Sequence, residues 1–327
     1  MRLMMLYCNS CMKTMDTNNK KYLFKPRRML GRTGFMVTQL GIGDIADRNV
    51  PINKCVTTVR RALDVGLNVI DTAPAYEDGY SEEIVGQALK GRRDGIFVID
   101  KIDHHDQPID EQVNKSLQRL DMEMVDLFVM HGLSTITGWE KATAPSGAIE
   151  RLDECRKIGK LRFLGISSHD PQVLKLAIKS DLCDVVMFAI GPYCDSQYIN
   201  EVLPLARANN VGTVCFKTFG AGNLLGDTEG YSRPLKERPR GKFSSGGDNN
   251  ASASLLPRMT VSGCVHYTLT CDPDVTLLGL SFPNEQDAAF AAAMDFKPLS
   301  SKQMADIRKR AAIAIRGKGP CWWNPEE

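Results

Sequence analysis

The chain has 327 residues, 43% of them hydrophobic and 24% charged, with a formal net charge of +2. That balance belongs to a large globular chain and gives no general attraction to nucleic acid or to an anionic membrane surface. No apolar run reaches the roughly 18–20 residues that a bilayer-spanning helix needs.

In chain order, residues 1–26 come first. The apolar run Leu3 to Tyr7 is shorter than the roughly 7–15 residues of a signal-peptide core, and no small-residue cleavage site follows it. The segment is expected to be a mobile tail. Cys8-x-x-Cys11 lies in it without a second pair, so it reads as two thiols of a tail rather than a metal site. The ten cysteines are otherwise dispersed, which predicts a reduced, cytoplasmic chain. "RRMLGRTGFMVT" (27–38) has two short apolar runs around Gly31-Arg32-Thr33-Gly34 and predicts a β-hairpin.

An alternation then begins. Strand-like runs at 37–43, 68–73, 95–102, 125–131, 161–167, 183–190, 211–220 and 274–281 are each followed by a segment of helical length. Those segments fall at 51–66, 81–91, 108–120, 145–159, 170–180, 196–210, 257–270 and 284–295. The runs are apolar on both faces, as buried parallel strands are, and the helical segments carry stripes such as Val56, Val59, Ala62 and Leu63. Pro51, Pro108, Pro145 and Pro171 sit near helix starts, and Ser81-Glu82-Glu83 reads as a cap with acids on the helix dipole.

Eight such units predict a (β/α)8 TIM barrel over 27–299, with the hairpin closing its bottom. A doubly wound sheet is the alternative, but "LGIGDIAD" is not a dinucleotide fingerprint. Residues 226–257, rich in Gly, Ser, Pro and Asn, follow the seventh strand as a long loop or lid. Residues 300–327 read as a C-terminal extra helix and tail, whose Trp322-Trp323 should pack on the barrel or across an interface.

Barrel active sites form where the strands end. Asp71 ends the second strand, Lys101 the third and His131 the fourth, and Tyr76 follows Asp71 by five residues. A phenol with a free pKa near 10 is a poor acid at neutrality. An ammonium beside it favours the phenolate, an aspartate keeps the ammonium charged, and a histidine can orient a carbonyl by hydrogen bonding. Taken singly, Asp71 could cap a turn and His131 could be structural; four such groups on successive units point to one site. His104-His105-Asp106 is the metal-dependent alternative, against which a solvated loop is weighed.

"NVIDTAPAYEDGYSEEIVGQAL", "VDLFVMHG", "IGKLRFLGISS" and "FKTFGAGNLLG" resemble the aldo-keto reductases over residues 27–295. The resemblance implies reduction of a small-molecule carbonyl, or the reverse, by NADP(H), with NAD(H) as the alternative and no metal. It implies Tyr76 as proton donor, Lys101 and Asp71 as its tuning partners, and His131 as the group that orients substrate. For the cofactor it implies Gly43 and Asp44 after the first strand and Ser167-Ser168 after the fifth. It further implies Met187, where the family has a glutamine, with Ile190, Phe188 or Tyr193 beside the nicotinamide. The loop after the seventh strand would give Lys217, Phe219, Gly220, Gly222 and Leu224, and the eighth unit Gly279, Ser281, Asn284 and Gln286. Ser281 and Phe282 stand where the family has a cation for the 2′-phosphate. The basic run Arg233, Lys236, Arg238, Arg240 and Lys242 could replace it or could be solvated. A non-catalytic nucleotide-binding barrel, acting as a sensor or interaction module, is the second functional reading.

Overall fold

The computed structural model describes residues 23–43, 48, 50–225, 257–279, 283–318 and 321–325. The 1–22 tail with Cys8 and Cys11, and the lid segment up to residue 256, lie outside the described residues.

Strands β1 (Arg28–Met29) and β2 (Met36–Val37) pair antiparallel around the turn Gly31–Thr33. Eight parallel strands follow: β3 (Leu40–Gly43), β4 (Val69–Asp71), β5 (Phe97–Ile102), β6 (Val125–Met130), β7 (Leu161–Ser167), β8 (Val185–Ala189), β9 (Gly212–Phe216) and β10 (Val275–Leu278). Each pairs with the next, and β10 pairs with β3, so the sheet closes into a barrel. The chain therefore has the (β/α)8 fold that the alternation predicts.

The two faces of each strand fill separate cores. Val69, Phe97, Ile99, Leu127, Val129, Val185, Met187 and Val214 point into the barrel. Ile70, Val98, Phe128, Val186 and Phe188 point out toward the helices. Because both faces are buried, the strands read as continuous apolar runs. The hairpin stops the barrel's lower end. Leu30 and Val37 join the inner core at the start of the strands, and the Phe35 ring packs 5.2 Å from that of Phe97. Gly212 makes room for this plug, because a Cβ there would come within 2.9 Å of the Leu30 side chain.

Around the barrel lie α1 (Ile52–Asp64), α2 (Tyr80–Leu89), α3 (Ile109–Leu120), α4 (Ile136–Thr143), α5 (Ala148–Lys157), α6 (Pro171–Lys179), α7 (Leu203–Ala208), α8 (Val261–Cys271), α9 (Pro283–Met294) and α10 (Ser301–Ala314). Three local features depart from expectation. Helix α4 forms in a stretch without a strong stripe, because Thr135 caps Gly138 and Trp139 and Ala142 are buried. The helix expected from 196 opens as a wider turn over Tyr198–Val202 before α7, with the Leu203 amide reaching back to Tyr198. Ser81 does not cap α2: Gly79 holds that position, and the buried Ser81 hydroxyl instead accepts a hydrogen bond from Thr72.

The C-terminal segment returns to the barrel top. Trp323 is fully buried and donates from Nε1 to the Tyr193 carbonyl at 3.0 Å, while Trp322 is 52% exposed. The eight described cysteines are all free thiols. Among the described residues no helix is long and apolar enough to cross a membrane.

Replacing Leu30 by Ala removes the centre of the plug without touching the upper face. The expected cost is about 2–5 kcal/mol of stability, measured by urea denaturation; a loss below about 1 kcal/mol would show that the plug does not support the barrel.

Candidate active site

The inward rows of three adjacent strands change chemistry at their upper ends. In β4 the row runs Val69, Asp71; in β5 Phe97, Ile99, Lys101; after β6 it runs Leu127, Val129, His131. Asp71 and Lys101 are buried, and Lys101 Nζ lies 2.6 Å from Asp71 Oδ1. The ammonium also donates to the Thr72 carbonyl at 2.6 Å and sits 4.5 Å from the centre of the Tyr76 ring. A charge so deeply buried is tolerable only when paired and hydrogen-bonded, and both conditions are met. Gly43 stands opposite Asp71 in the register, where a Cβ would meet Asp71 Oδ2 at 3.0 Å.

Tyr76 rides on the turn between β4 and α2. Glu77, Asp78 and Gly79 follow it with φ of 54°, 52° and 84°, three consecutive residues in the left-handed region. Two of them are not glycine, so the turn is held by its surroundings. The Tyr76 ring meets the His131 ring edge-on, with centres 5.9 Å apart.

Asp103, which the motif analysis did not single out, connects these parts. Its Oδ1 is hydrogen-bonded to His131 Nδ1, and its Oδ2 accepts the Ala75 amide at 2.7 Å. Burial pushes the Asp103 carboxyl up, but the His131 hydrogen bond and charge, the Ala75 amide and Lys101 together hold it below its usual value. An ionised Asp103 fixes the Nδ1 proton and leaves Nε2 as the free polar atom of the ring. Its trace in the sequence is slight: one more acid before His104-His105, two residues past Lys101.

The proposed cofactor residues separate into those at the upper face and those engaged elsewhere. Gly43 ends β3 and Gly279 follows the adjacent β10, and among the described residues a Cβ on Gly279 would come within 3.9 Å of the Gly43 carbonyl. Ser167 accepts the Gly132 amide at 2.9 Å, and the Ser168 hydroxyl accepts the Asp170 amide at 3.1 Å. Met187 points into the lumen. Phe188 cannot supply a ring there, because it points outward and stacks on Tyr198. Ile190 lies in the outer core and Tyr193 anchors Trp323. Phe216 brings a further ring to the upper face, continuing the inward row of β9 above Val214. The sequence signal for it was the period-two spacing in "VGTVCFK".

Next to Phe216, burial, then the charges of Lys217 and His131, push His169 down to about 4, so its imidazole is neutral. Lys217 has φ of 72° and holds its ammonium 4.1 Å from the centre of the Trp322 ring. The turn beyond, Gly220–Leu225, is left-handed at Gly220, Ala221 and Gly222 and packs Phe219 and Leu224 beneath it. Buried Lys318 supports that turn through the Asn223 carbonyl at 2.9 Å.

Gln286 is fully buried, donates to the Thr58 carbonyl at 2.9 Å and accepts from Arg61, so it joins α9 to α1. Asp44, Ser281, the Asn284 side chain and the basic run 233–242 lie outside the described residues. His104, His105 and Asp106 line a cleft of about 1070 Å³ between α3 and the α4–α5 region. Among the described residues no three metal-ligating side chains converge, there or elsewhere.

Comparison with known proteins bears on the family and the fold. The model of the Aldo/keto reductase family matches residues 38–312. An uncharacterized oxidoreductase, YqkF of Bacillus subtilis (strain 168), is 30% identical over 211 residues, 61% of this chain and 66% of that protein. Aldo-keto reductase YhdN of the same organism is 31% identical over 194 residues, 54% of this chain and 56% of that protein. The NADH-specific methylglyoxal reductase of Escherichia coli (strain K12) is 28% identical over 230 residues, 60% of this chain and 68% of that protein. The matched part is thus less than two thirds of the length of the first two relatives. Among solved structures, holo aldo-keto reductase AKR11C1 from Bacillus halodurans superposes with a TM-score of 0.67 at 26% identity, covering 90% of this chain and 98% of that one.

The buried pair makes an energetic prediction independent of any reaction. Lys101→Met strands Asp71 without a counter-charge and is expected to cost about 3–5 kcal/mol. Adding Asp71→Asn should recover part of that loss in a denaturation cycle, whereas strict additivity would mean that the two charges do not support each other.

Proposed function

The chain belongs to the aldo/keto reductase family, and from that premise we propose that it reduces the carbonyl of a small molecule with NADP(H) or NAD(H), Tyr76 delivering the proton. The observation that carries this reading is the Lys101 ammonium held between Asp71 and the Tyr76 ring.

The upper face fits a nicotinamide. Phe216 offers an aromatic face, Met187 an apolar floor, and Ser167 and Ser168 hydroxyls at the rim. The neutral His169 adds no charge beside a ring that is cationic when oxidised. The Gly220–Leu225 turn with Lys217, and the bare backbone at Gly43 and Gly279, suit the phosphate-bearing part. The nicotinamide, when bound, supplies a hydride to the carbonyl carbon. Charge then develops on the carbonyl oxygen, and the protein's task is to neutralise it. His131, fixed through Nδ1 by Asp103, presents Nε2 to orient that oxygen. Tyr76 gives its phenolic proton to it. Lys101 stabilises the phenolate that remains, and Asp71 keeps Lys101 charged and in place. The burial of the pair keeps water from weakening either interaction. A pure nucleotide-binding module would not need this arrangement under a phenol.

Two measurements test the proposal. Tyr76→Phe should lower kcat by about 10²–10⁴-fold on any carbonyl the protein reduces, in a panel of aldehydes, ketones, sugars and methylglyoxal. Activity within tenfold of the unmodified protein would overturn the assignment of the proton donor. In fluorescence titrations NADH should bind within about tenfold of NADPH, about 1.4 kcal/mol, since an uncharged residue stands where a 2′-phosphate cation is expected. A preference of several hundredfold for NADPH would mean that another cation takes that place.

A further inference from the structure

Immediately beside Lys101 on β5, but on the outward face, lies a second acid. Asp100 is fully buried, and its Oδ1 accepts the Lys101 amide at 2.8 Å. Glu82, also fully buried, reaches it from the first turn of α2, with Oε2 accepting Arg119 Nη1 at 2.7 Å. The other two oxygens, Asp100 Oδ2 and Glu82 Oε1, have no donor among the described residues. The two buried carboxyls are neighbours, each within reach of the other's electrostatic influence. Two carboxylate oxygens without donors are stable side by side in a dry site only if a proton lies between them.

The same chain of contacts runs on to the catalytic turn. The Arg119 guanidinium lies against Gly79, where a Cβ would come within 2.6 Å of it. Gly79 closes the left-handed run that begins just after Tyr76. Asp100, Glu82, Arg119 and Gly79 thus connect the strand that carries Lys101 to the turn that carries Tyr76.

We propose that Asp100 and Glu82 share a single proton, and that this bridge is a positioning device that holds the Tyr76 turn in register with Lys101. The inference rests on the reading of Tyr76 as proton donor. Asp100 is the neutral partner and donates from Oδ2 to Glu82 Oε1, while Glu82 stays ionised against Arg119. The groups facing the pair agree with this division. Arg119 and the Ser116 hydroxyl from α3 lie on the Glu82 side, and Lys101 of β5 and Asp71 of β4 lie on the Asp100 side. Burial, then the charge of Glu82, pushes the Asp100 carboxyl well above its usual value. Burial also raises Glu82, and Ser116 and Arg119 oppose the rise. Neither Asp100 nor Glu82 touches substrate in this account; they act through the turn.

The test uses Asp100→Asn, whose amide keeps the acceptor for the Lys101 N–H and offers Glu82 an N–H that does not titrate. Infrared spectra of the unmodified protein at pH 7–8 should contain the carbonyl stretch of a protonated carboxylic acid, and Asp100→Asn should remove it. A folded pKa above the unfolded value of about 4 means that the stabilisation is complete below that value and is lost as pH rises through the folded pKa. The thermal stability of the unmodified protein relative to Asp100→Asn should therefore fall as pH is raised from about 4 toward that folded pKa. In turnover, Asp100→Ala should lower kcat by about ten- to a hundredfold with little change in cofactor KM, and Asp100→Asn should recover most of that loss.

No acid band at neutral pH would overturn the bridge, and so would equal pH slopes in the two proteins. These two arms do not depend on turnover, so a protein that reduces no carbonyl but shows both would sink the reductase reading and leave the bridge standing. If Asp100→Asn does not fold, titration of the acid band in the unmodified protein decides the matter.

Discussion

The upper half of this barrel is organised around one buried ion pair. The Lys101 ammonium is held by Asp71 and the Thr72 carbonyl where the inward rows of β4 and β5 end. Below it those rows are wholly apolar, so the charge has no stable place deeper in the lumen. Above it the chain turns outward. The pair therefore fixes the height at which polar chemistry begins, and the Tyr76 ring and the turn that carries it are set against that level. Neighbouring side chains that look unrelated serve the same arrangement. Gly43 leaves room for the Asp71 carboxylate, and Asp103 ties Ala75 to His131.

Much of this could be read from residues in order. Strands buried on both faces appear as unbroken apolar runs, so a lysine or an aspartate at the end of such a run is conspicuous. Asp71, Lys101 and His131 were legible for that reason, and Tyr76 through its spacing from Asp71. Asp103 was not, because its role depends on two partners, Ala75 and His131, that lie 28 residues away on either side. In the sequence it is one acid in a polar loop. Helix α4 was hidden because Trp139 and Ala142 alone make its buried face. Phe188 on β8 is a ring of the wrong parity to face the lumen, whereas Phe216 on β9 has the inward parity. Gln286 carries a structural role that its position in the sequence does not announce: its amide ties α9 to α1 through Thr58 and Arg61.

The two ends of the candidate cofactor site differ in how their surfaces are built. The nicotinamide end rests on strand termini, which the barrel holds rigidly, and on a tail whose Trp323 is locked under Tyr193 and Tyr198. The phosphate-bearing end rests on turns, with left-handed residues at Lys217, Gly220, Ala221 and Gly222 and a buried lysine beneath. Turn geometry depends on close approaches that short sequence patterns record poorly. That is why the candidate reacting end of the site is more legible in the sequence than the candidate nucleotide end.

The hairpin plug has a consequence for traffic. With the lumen packed by Val69, Phe97, Ile99 and Leu127 and its lower end stopped by Leu30, Val37 and Phe35, the barrel is open at its upper face alone. Nothing can cross it from below, so a proton donated by Tyr76, as proposed, would have to be restored from the same side by which product leaves. On the proposed chemistry, clearing the mouth and recharging the phenol are sequential uses of a single doorway. A bulky occupant at the rim, where Trp322 stands half exposed, would slow both at once.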